Sequence, residues 1–81
     1  MTGESIHVYV LVQTEVGRSR EVADEIASLS GVTSAEDVTG PYDVIVRATA
    51  ADGDELGRMV VGRIQKVPGI TRTLTCQVVR L

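Results

Sequence analysis

The sequence predicts an α+β fold of the ferredoxin-like type, in which strands and helices follow the order β-α-β-β-α-β. Segments with apolar residues at every second position alternate with two segments in which they recur every three to four residues. A faint duplication supports the same order, because residues 29–33 (LSGVT) and 67–71 (VPGIT) each join a helical segment to a strand. The economical packing is a four-stranded antiparallel sheet with both helices on one face.

The first half of the chain contains a strand, a helix and a second strand. The first strand covers residues 6–13, and its two faces alternate along the chain. An amphipathic helix follows over residues 18–30, and Gly31 is expected to end it; its start lacks a good N-cap. Its apolar stripe consists of Val22, Ile26 and Leu29. Residues 32–39 then indicate a more polar strand, typical of a sheet edge.

The second half repeats this order after a Gly40-Pro41 turn. Residues 42–49 alternate as a third strand, and Asp52 with Glu55 resembles a capping box that begins the second helix. Pro68-Gly69 ends that helix, and the last strand covers residues 70–79. We expect Leu74, Cys76 and Val78 on one side of this strand, and Thr71, Thr73, Thr75 and Gln77 on the other.

The side of the sheet without helices is predicted to bind a second copy of the chain. The helices should cover Val8, Val10, Val44, Val46, Leu74 and Cys76. The other face would hold Tyr9, Leu11, Ile45, Ala35, Thr73, Thr75 and Val79. That set is too apolar for a fully solvated surface, so a homodimer that packs sheet against sheet is expected.

The length and the net charge of the chain limit the classes of function that it can have. The 81 residues suit one domain over residues 6–81 after a short arm, residues 1–5. The net charge of −3 with dispersed arginines argues against direct DNA binding. A single cysteine and the lack of a visible secretory signal or membrane-spanning segment favour a cytoplasmic protein without membrane contact.

The Gly40-Pro41 turn is the first candidate for a ligand site. It combines a forced bend with an aromatic hydroxyl, Tyr42, and a carboxylate, Asp43. Asp43 suits an α-ammonium group but could equally hydrogen-bond within its own turn. Tyr42 could border a ligand, although an aromatic residue at the start of a strand more often serves packing.

The other reactive side chains are interpreted as structural residues rather than as catalytic or metal-binding ones. His7 is the only histidine and stands at no ligand spacing, so neither a metal nor a cofactor is expected. Cys76 is expected to be a small buried residue. The adjacent acids Glu36 and Asp37 would lie on opposite faces of a strand and could not chelate together. No nucleophile–base pair is visible, so the chain is not expected to be an enzyme.

Several of these segments together resemble the effector domain of the Lrp/AsnC, or feast/famine, regulators, also called the RAM domain. The most specific is Val38-Thr39-Gly40-x-Tyr42-Asp43, and Pro68-Gly69-Ile70 at the start of the last strand is a weaker one. The resemblance covers residues 6–79. Because only five residues precede the first strand, the chain resembles a stand-alone effector domain without the helix-turn-helix.

The resemblance implies an amino-acid sensor that assembles. Members form dimers and then rings, with an octamer the expected size, and bind amino acids or related metabolites between dimers. Such a module could also modulate full-length Lrp/AsnC regulators. Carried over by position, the ligand-binding residues would be Thr39, Gly40, Tyr42, Asp43, Ala48, Thr49, Ala50, Thr71 and Thr73, some from a neighbouring subunit. Pro41 departs from the pattern by removing one backbone donor.

The residues leave two alternative functions open. A small dimeric monooxygenase-like enzyme shares this architecture, but such enzymes use deep aromatic pockets, and this chain has two tyrosines and neither Trp nor Phe. A purely structural assembly partner without a ligand is the other.

Overall fold

The computed structural model describes residues 5–79 and confirms the predicted order β-α-β-β-α-β. The second α-helix ends at Gly62 rather than at Pro68-Gly69 as predicted, and a 3₁₀ helix, Ile64–Lys66, follows it. The strands are β1 (Ile6–Thr14), β2 (Val32–Asp37), β3 (Val44–Ala50) and β4 (Ile70–Gln77), and the helices are α1 (Ser19–Ala27) and α2 (Gly53–Gly62). Most of the predicted arm, residues 1–4, and the last two residues lie outside the described residues.

The four strands form one antiparallel sheet in the order β2-β3-β1-β4. The two central strands, β1 and β3, supply most of the core through every second residue. Both helices pack on that side, as predicted. The buried side chains are Val8, Val10, Val12, Val22, Ala23, Ile26, Val44, Val46, Ala48, Ala50, Met59, Val60, Ile64 and Val67. The core is therefore aliphatic, and neither tyrosine belongs to it.

The start of α2 is capped as the sequence predicts. The Asp52 carboxylate accepts a hydrogen bond from the Glu55 backbone N–H at 2.9 Å. The Glu55 carboxylate in turn accepts from the Ala51 N–H at 2.6 Å. This pair satisfies two backbone donors at the helix start. Helix α1 begins after Arg18 without a side-chain cap. None of the described helices is long and apolar enough to cross a lipid bilayer.

The internal duplication is visible in how the two halves pack. Gly31 and Gly69, each between a helix and a strand, have φ values of +89° and +98°. The Gly31 carbonyl accepts from the Thr49 N–H at 2.9 Å, and the Gly69 carbonyl accepts from the Glu15 N–H at 2.8 Å. A side chain at Gly31 would meet Met59 of α2, and one at Gly69 would meet Val22 of α1. Each junction glycine thus lies against the helix of the other half.

The predicted faces of β4 are wrong, because the two sides of the strand are exchanged. Leu74 pairs with Leu11 and Cys76 with Tyr9, whereas Thr73 and Thr75 pair with the buried Val12 and Val10. Directly paired residues share a face, so Leu74 and Cys76 lie on the side without helices, and Val78 continues that series beyond the strand. Cys76 is exposed rather than buried.

The reason for this exchange is that β4 is an edge strand. Its residues are mostly exposed on both sides, so alternation alone does not reveal which side the helices cover. On the helix side, the Thr73 hydroxyl accepts a hydrogen bond from the Gln65 side-chain amide at 2.9 Å. A threonine thus finds a polar partner there, while Leu74 joins the apolar residues of β1 on the other side.

Two residues predicted on the face without helices also lie elsewhere. Ala35 pairs with Val46 and packs against the core, because the register of β2 shifts between Val32 and Ser34. Such a shift moves every later side chain to the other face. Val79 follows the end of β4 and is 76% exposed. We call the sheet surface that no helix covers the open face; it carries Tyr9, Leu11, Ile45, Arg47, Leu74 and Cys76.

Candidate functional site

The turn between β2 and β3, residues 38–43, is held against the end of β1. The Val38 N–H donates to the Asp43 carbonyl at 2.8 Å and closes the turn. The Asp43 N–H donates to the Val12 carbonyl at 2.8 Å, which extends the pairing of β3 with β1. The Gln13 side-chain amide reaches the Pro41 carbonyl at 3.2 Å. These bonds position the turn beside two strands of the sheet.

The carboxylate of Asp43 is engaged within the fold. It accepts a hydrogen bond from the Thr14 backbone N–H at 2.8 Å in a half-buried position. Thr14 lies beyond Val12–Val44, the last pair between β1 and β3, so its N–H needs an acceptor other than the regular ladder. Asp43 was expected either to bind an α-ammonium group or to hydrogen-bond within its own turn. The contact agrees with a structural role for Asp43, although its partner lies on β1 rather than within the turn.

The tip of the turn leaves several backbone donors free. Gly40 has a φ of +155°, a region that other residues rarely adopt, and a side chain there would meet open space. The N–H groups of Thr39, Gly40 and Tyr42 have no acceptor among residues 5–79. Pro41 has no N–H to offer. Free N–H groups on one turn can donate hydrogen bonds to an anion such as a carboxylate.

A hollow of about 520 Å³ lies where this turn meets the open face. Thr39, Gly40 and Tyr42 were predicted as site residues, and they line it. The remaining lining residues are Leu11, Val38, Pro41 and Ile45. Sequence analysis did not assign Leu11 and Ile45 to the site, since their alternation placed them only on a sheet face. The pairing of Leu11 with Ile45 brings them beside the turn.

Thr71 and Thr73 line a second, smaller hollow of about 320 Å³. It lies on the other side of β1 from the turn, with Gln65, Ile70 and Arg72 as its other lining residues. This hollow is more polar. Both hollows lie at the same end of the sheet, because Thr14 at the end of β1 pairs with Ile70 and also bonds Asp43.

The remaining predicted residues, Ala48, Thr49 and Ala50, lie at the opposite end of β3. Seven strand residues separate the two ends by about 20 Å. Ala48 and Ala50 are buried in the core, and the Thr49 N–H bonds the Gly31 carbonyl. Within one chain the predicted site residues therefore lie in three separate groups, at the β2–β3 turn, at the start of β4 and at the end of β3.

Other polar residues make no site in the described part of the chain. Residues 5–79 contain no group of three or more His, Cys, Asp or Glu that could hold a metal ion. Glu36 and Asp37 pair with Ile45 and Val44, so they lie on opposite faces of the sheet, as predicted. On the open face, the Arg47 guanidinium lies 5.5 Å from the centre of the Tyr9 ring.

Known regulators are similar to this chain in sequence. An uncharacterised HTH-type transcriptional regulator of Pyrococcus horikoshii is 34% identical over 56 residues, which are 69% of this chain and 37% of that protein. Another from Pyrococcus abyssi is 32% identical over 73 residues, 90% of this chain and 46% of that protein. The chain thus spans less than half the length of these two regulators.

Solved structures share the fold. The chain TTHA0845 from Thermus thermophilus superimposes with a TM-score of 0.88 at 32% identity, covering 94% of this chain and 95% of that one. A transcriptional regulator of Neisseria meningitidis, solved as a complex with L-Met, superimposes with a TM-score of 0.81 over 93% of this chain and 50% of its own. At 18% identity, the latter likeness concerns the fold alone.

The family match covers nearly the whole chain. The family described as the Lrp/AsnC ligand binding domain matches residues 7–80, from the start of β1 to beyond the end of β4. The ferredoxin-like sheet, the order of its elements and the similar regulators agree with it. The chain belongs to the Lrp/AsnC ligand-binding domain family.

Proposed function

We propose that this chain is a stand-alone sensing and assembly module that binds an amino acid or a related metabolite in a site completed by a second subunit. The observation that carries the proposal is the hollow between the β2–β3 turn and the open face. Val38, Pro41 and Tyr42 of the turn border it with apolar surface, and the N–H groups of its lining residues Thr39, Gly40 and Tyr42 have no acceptor among residues 5–79. An amino acid offers the matching parts, a carboxylate and a side chain.

The separation of the predicted residues supports a composite site. Within one chain the turn, the start of β4 and the end of β3 do not meet. Several subunits would bring such groups together, and a ligand that touches more than one subunit shifts the balance among assembly states. In this proposal Thr71 and Thr73 reach the ligand from a neighbouring copy, whereas Ala48 and Ala50 are buried in the core of their own chain and take no part.

Dimerisation through the open face is part of the proposal. Leu11, Ile45 and Leu74 form a continuous apolar row across three strands, and Leu74 is 42% exposed. A second sheet would remove this row from water. Assembly of dimers into an octameric ring is the further step.

The relatives support the choice of ligand class and partner. The structure of the Neisseria regulator is that of its complex with L-Met, and the similar Pyrococcus proteins are HTH-type regulators. The Thermus chain has nearly the same extent as this one. Co-assembly with a full-length regulator would let a small domain influence transcription without binding DNA itself.

Thermal unfolding of the purified chain tests the proposal. Each of the twenty amino acids is added at millimolar concentration, and Tm is measured by scanning fluorimetry. A ligand at ten times its Kd should stabilise the folded state by about 1.4 kcal/mol and raise Tm by several degrees. If no amino acid raises Tm, the sensing role is wrong and the structural assembly partner is favoured.

A pair of variants locates the effect. Tyr42→Ala removes a half-buried ring from the hollow and should abolish the ligand-induced rise in Tm while the dimer persists. Thr33→Ala, on the exposed edge of β2, is the control and should retain the full rise. An unchanged response of Tyr42→Ala would place the ligand elsewhere.

A further inference from the structure

The charges of this chain are segregated along the sequence. All eleven Asp and Glu residues lie in residues 1–55, together with three of the eight Lys and Arg residues. Residues 56–81 contain the other five basic residues and no acidic one. A chain with a net charge of only −3 thus has an acidic first part and a basic last part. Such an asymmetry indicates a surface that recognises the opposite charge.

Strand β2 forms one edge of the sheet, and this edge is acidic. Glu36 and Asp37 are both exposed there. Glu36 pairs with Ile45 of the open face, and Asp37 pairs with the buried Val44 on the helix side. The edge therefore carries one carboxylate on each side of the sheet. We call Glu36 and Asp37 the acidic edge.

Strand β4 forms the opposite edge, and this edge is basic. Arg72 is exposed and pairs with Gln13, so it lies on the side of the open face. On the helix side, the hydrogen bond from Gln65 to Thr73 holds the 3₁₀ helix beside β4. The exposed Lys66 follows Gln65 in that helix. We call Lys66 and Arg72 the basic edge.

The charges of both edges are unpaired in the described part of the chain. The salt bridges among residues 5–79 join Arg18 to Glu15 and to Glu21, and none includes a residue of either edge. Glu15 lies beside the start of β4, because its N–H bonds the Gly69 carbonyl, but it is the partner of Arg18. Three strand spacings separate the edges by about 14 Å. Since the Debye length is about 8 Å at physiological salt, the two edges attract each other little within one chain.

The two edges carry their charges at the same end of the sheet. Asp37 pairs with Val44 of β3, which pairs with Val12 of β1. Val12 in turn pairs with Thr73, the neighbour of Arg72 in β4. Two sheets placed side by side in the same orientation therefore bring the acidic edge of one to the height of the basic edge of the other.

From this arrangement we infer that the acidic edge of one copy binds the basic edge of the next. Asp37 then meets Lys66 on the helix side, and Glu36 meets Arg72 on the other side of the sheet. Two edges of like charge repel, so neither edge binds its own kind. Such a head-to-tail contact between different surfaces builds a ring where the rotation between copies closes.

The edge contact is compatible with dimerisation through the open face. That dimer covers the apolar row of Leu11, Ile45 and Leu74, whereas the charged edges lie at its rim. The inference rests on the assembly part of the proposed function and names the surfaces that join its dimers. Because a single exposed ion pair contributes little, the contact depends on the charges of each edge acting together. It should therefore weaken as salt is added.

Sedimentation velocity of the full chain at about 50 mM and about 500 mM NaCl tests the inference. We expect species larger than the dimer at low salt and a dimer at high salt, with the midpoint concentration for assembly rising at least about tenfold. Larger species that are insensitive to salt would overturn the inference and leave the ring intact. A dimer at both salt concentrations would overturn the inference and the ring together, and would favour an acidic partner of another kind. Amino-acid binding is measured separately through Tm.

Reversing the charge of a whole edge tests which surfaces meet. Glu36→Lys combined with Asp37→Lys makes both edges basic, and Lys66→Glu combined with Arg72→Glu makes both edges acidic. Each double variant alone should remain a dimer at low salt, because like edges repel. An equimolar mixture of the two should regain the larger species, since a basic edge then meets an acidic one. A mixture that stays dimeric would overturn the proposed pairing.

A charge reversal away from the edges is the control. Arg58 is exposed on α2, which packs over the central strand β3. Arg58→Glu should form the larger species at low salt as the unaltered chain does. Its dissociation to dimers would show that total charge, rather than the two edges, controls assembly. Circular dichroism and Tm verify that every variant is folded, as expected for substitutions at exposed positions.

Discussion

The half-buried carboxylate of Asp43 joins three parts of the fold. It completes the hydrogen bonding of Thr14, whose N–H lies beyond the last pair between β1 and β3. Its own backbone N–H and carbonyl bond Val12 and Val38. The residue therefore fixes the position of the turn relative to β1, and a change here alters the hollow indirectly.

Replacing Asp43 should reduce stability. Asp43→Ala leaves the half-buried Thr14 N–H without its acceptor and should lower the free energy of unfolding by about 1.5–3 kcal/mol. Asp43→Asn keeps an acceptor oxygen and should cost less. Urea denaturation at one fixed protein concentration measures both values. Asp37→Ala, at an exposed position of β2, is the control. A cost for Asp43→Ala no larger than the control's would show that the bond contributes little.

At the scale of single elements, the glycines of this chain differ in what they do. Gly31 lies between α1 and β2 with a φ of +89°, and a Cβ there would approach the Thr49 carbonyl oxygen to 3.1 Å. Gly57 lies within α2, and a Cβ there would meet nothing within 4 Å. The first is required by the backbone and its neighbours, whereas the second only weakens the helix.

Alanine at these two positions should have opposite effects. Gly57→Ala should raise the free energy of unfolding by about 0.5–1 kcal/mol, because alanine favours the helix and restricts the unfolded chain. Gly31→Ala should lower it by about 1–3 kcal/mol through backbone strain and crowding. Thermal and urea unfolding measure both. A gain in stability for Gly31→Ala would contradict the assigned junction geometry.

The element scale also explains which sequence predictions were wrong. The faces of β1, β3 and α1 followed from their periodicity, because a buried core covers one side of each, whereas α1 ends at Ala27 and not at the predicted residue 30. Both edge strands were misjudged in part. In β2 an irregular register places Ala35 on the core side. In β4 the residues on both sides are mostly exposed, so their alternation does not indicate which side faces the helices.

For the whole molecule, the exchanged faces of β4 strengthen the case for assembly. Leu74 adds to Leu11 and Ile45, so the open face is more apolar than the sequence had predicted at β4. A thin aliphatic core in a short chain also benefits from further burial between copies. Folding and association would then be coupled, and stability would depend on protein concentration.

A charge placed on this row tests the dimer. Leu74→Asp should convert the dimer to a monomer at micromolar concentration, since two copies would bury two unpaired carboxylates near one another. Sedimentation or light scattering measures the mass. Val61→Asp provides the matched control, because Val61 is an exposed aliphatic residue of α2, away from the sheet. A dimer that persists in Leu74→Asp but dissociates in Val61→Asp would place the interface on the helices.

The sequence by itself determined the order of elements, the capping of α2 and membership of a recognisable family, since each depends on local spacing and turn chemistry. Only the tertiary structure decided that Leu11 and Ile45 lie beside the β2–β3 turn, that Asp43 is bound to Thr14, and that Leu74 lies on the open face. These results depend on register between strands distant in sequence. Register follows from long-range pairing and its irregularities, which local periodicity does not contain.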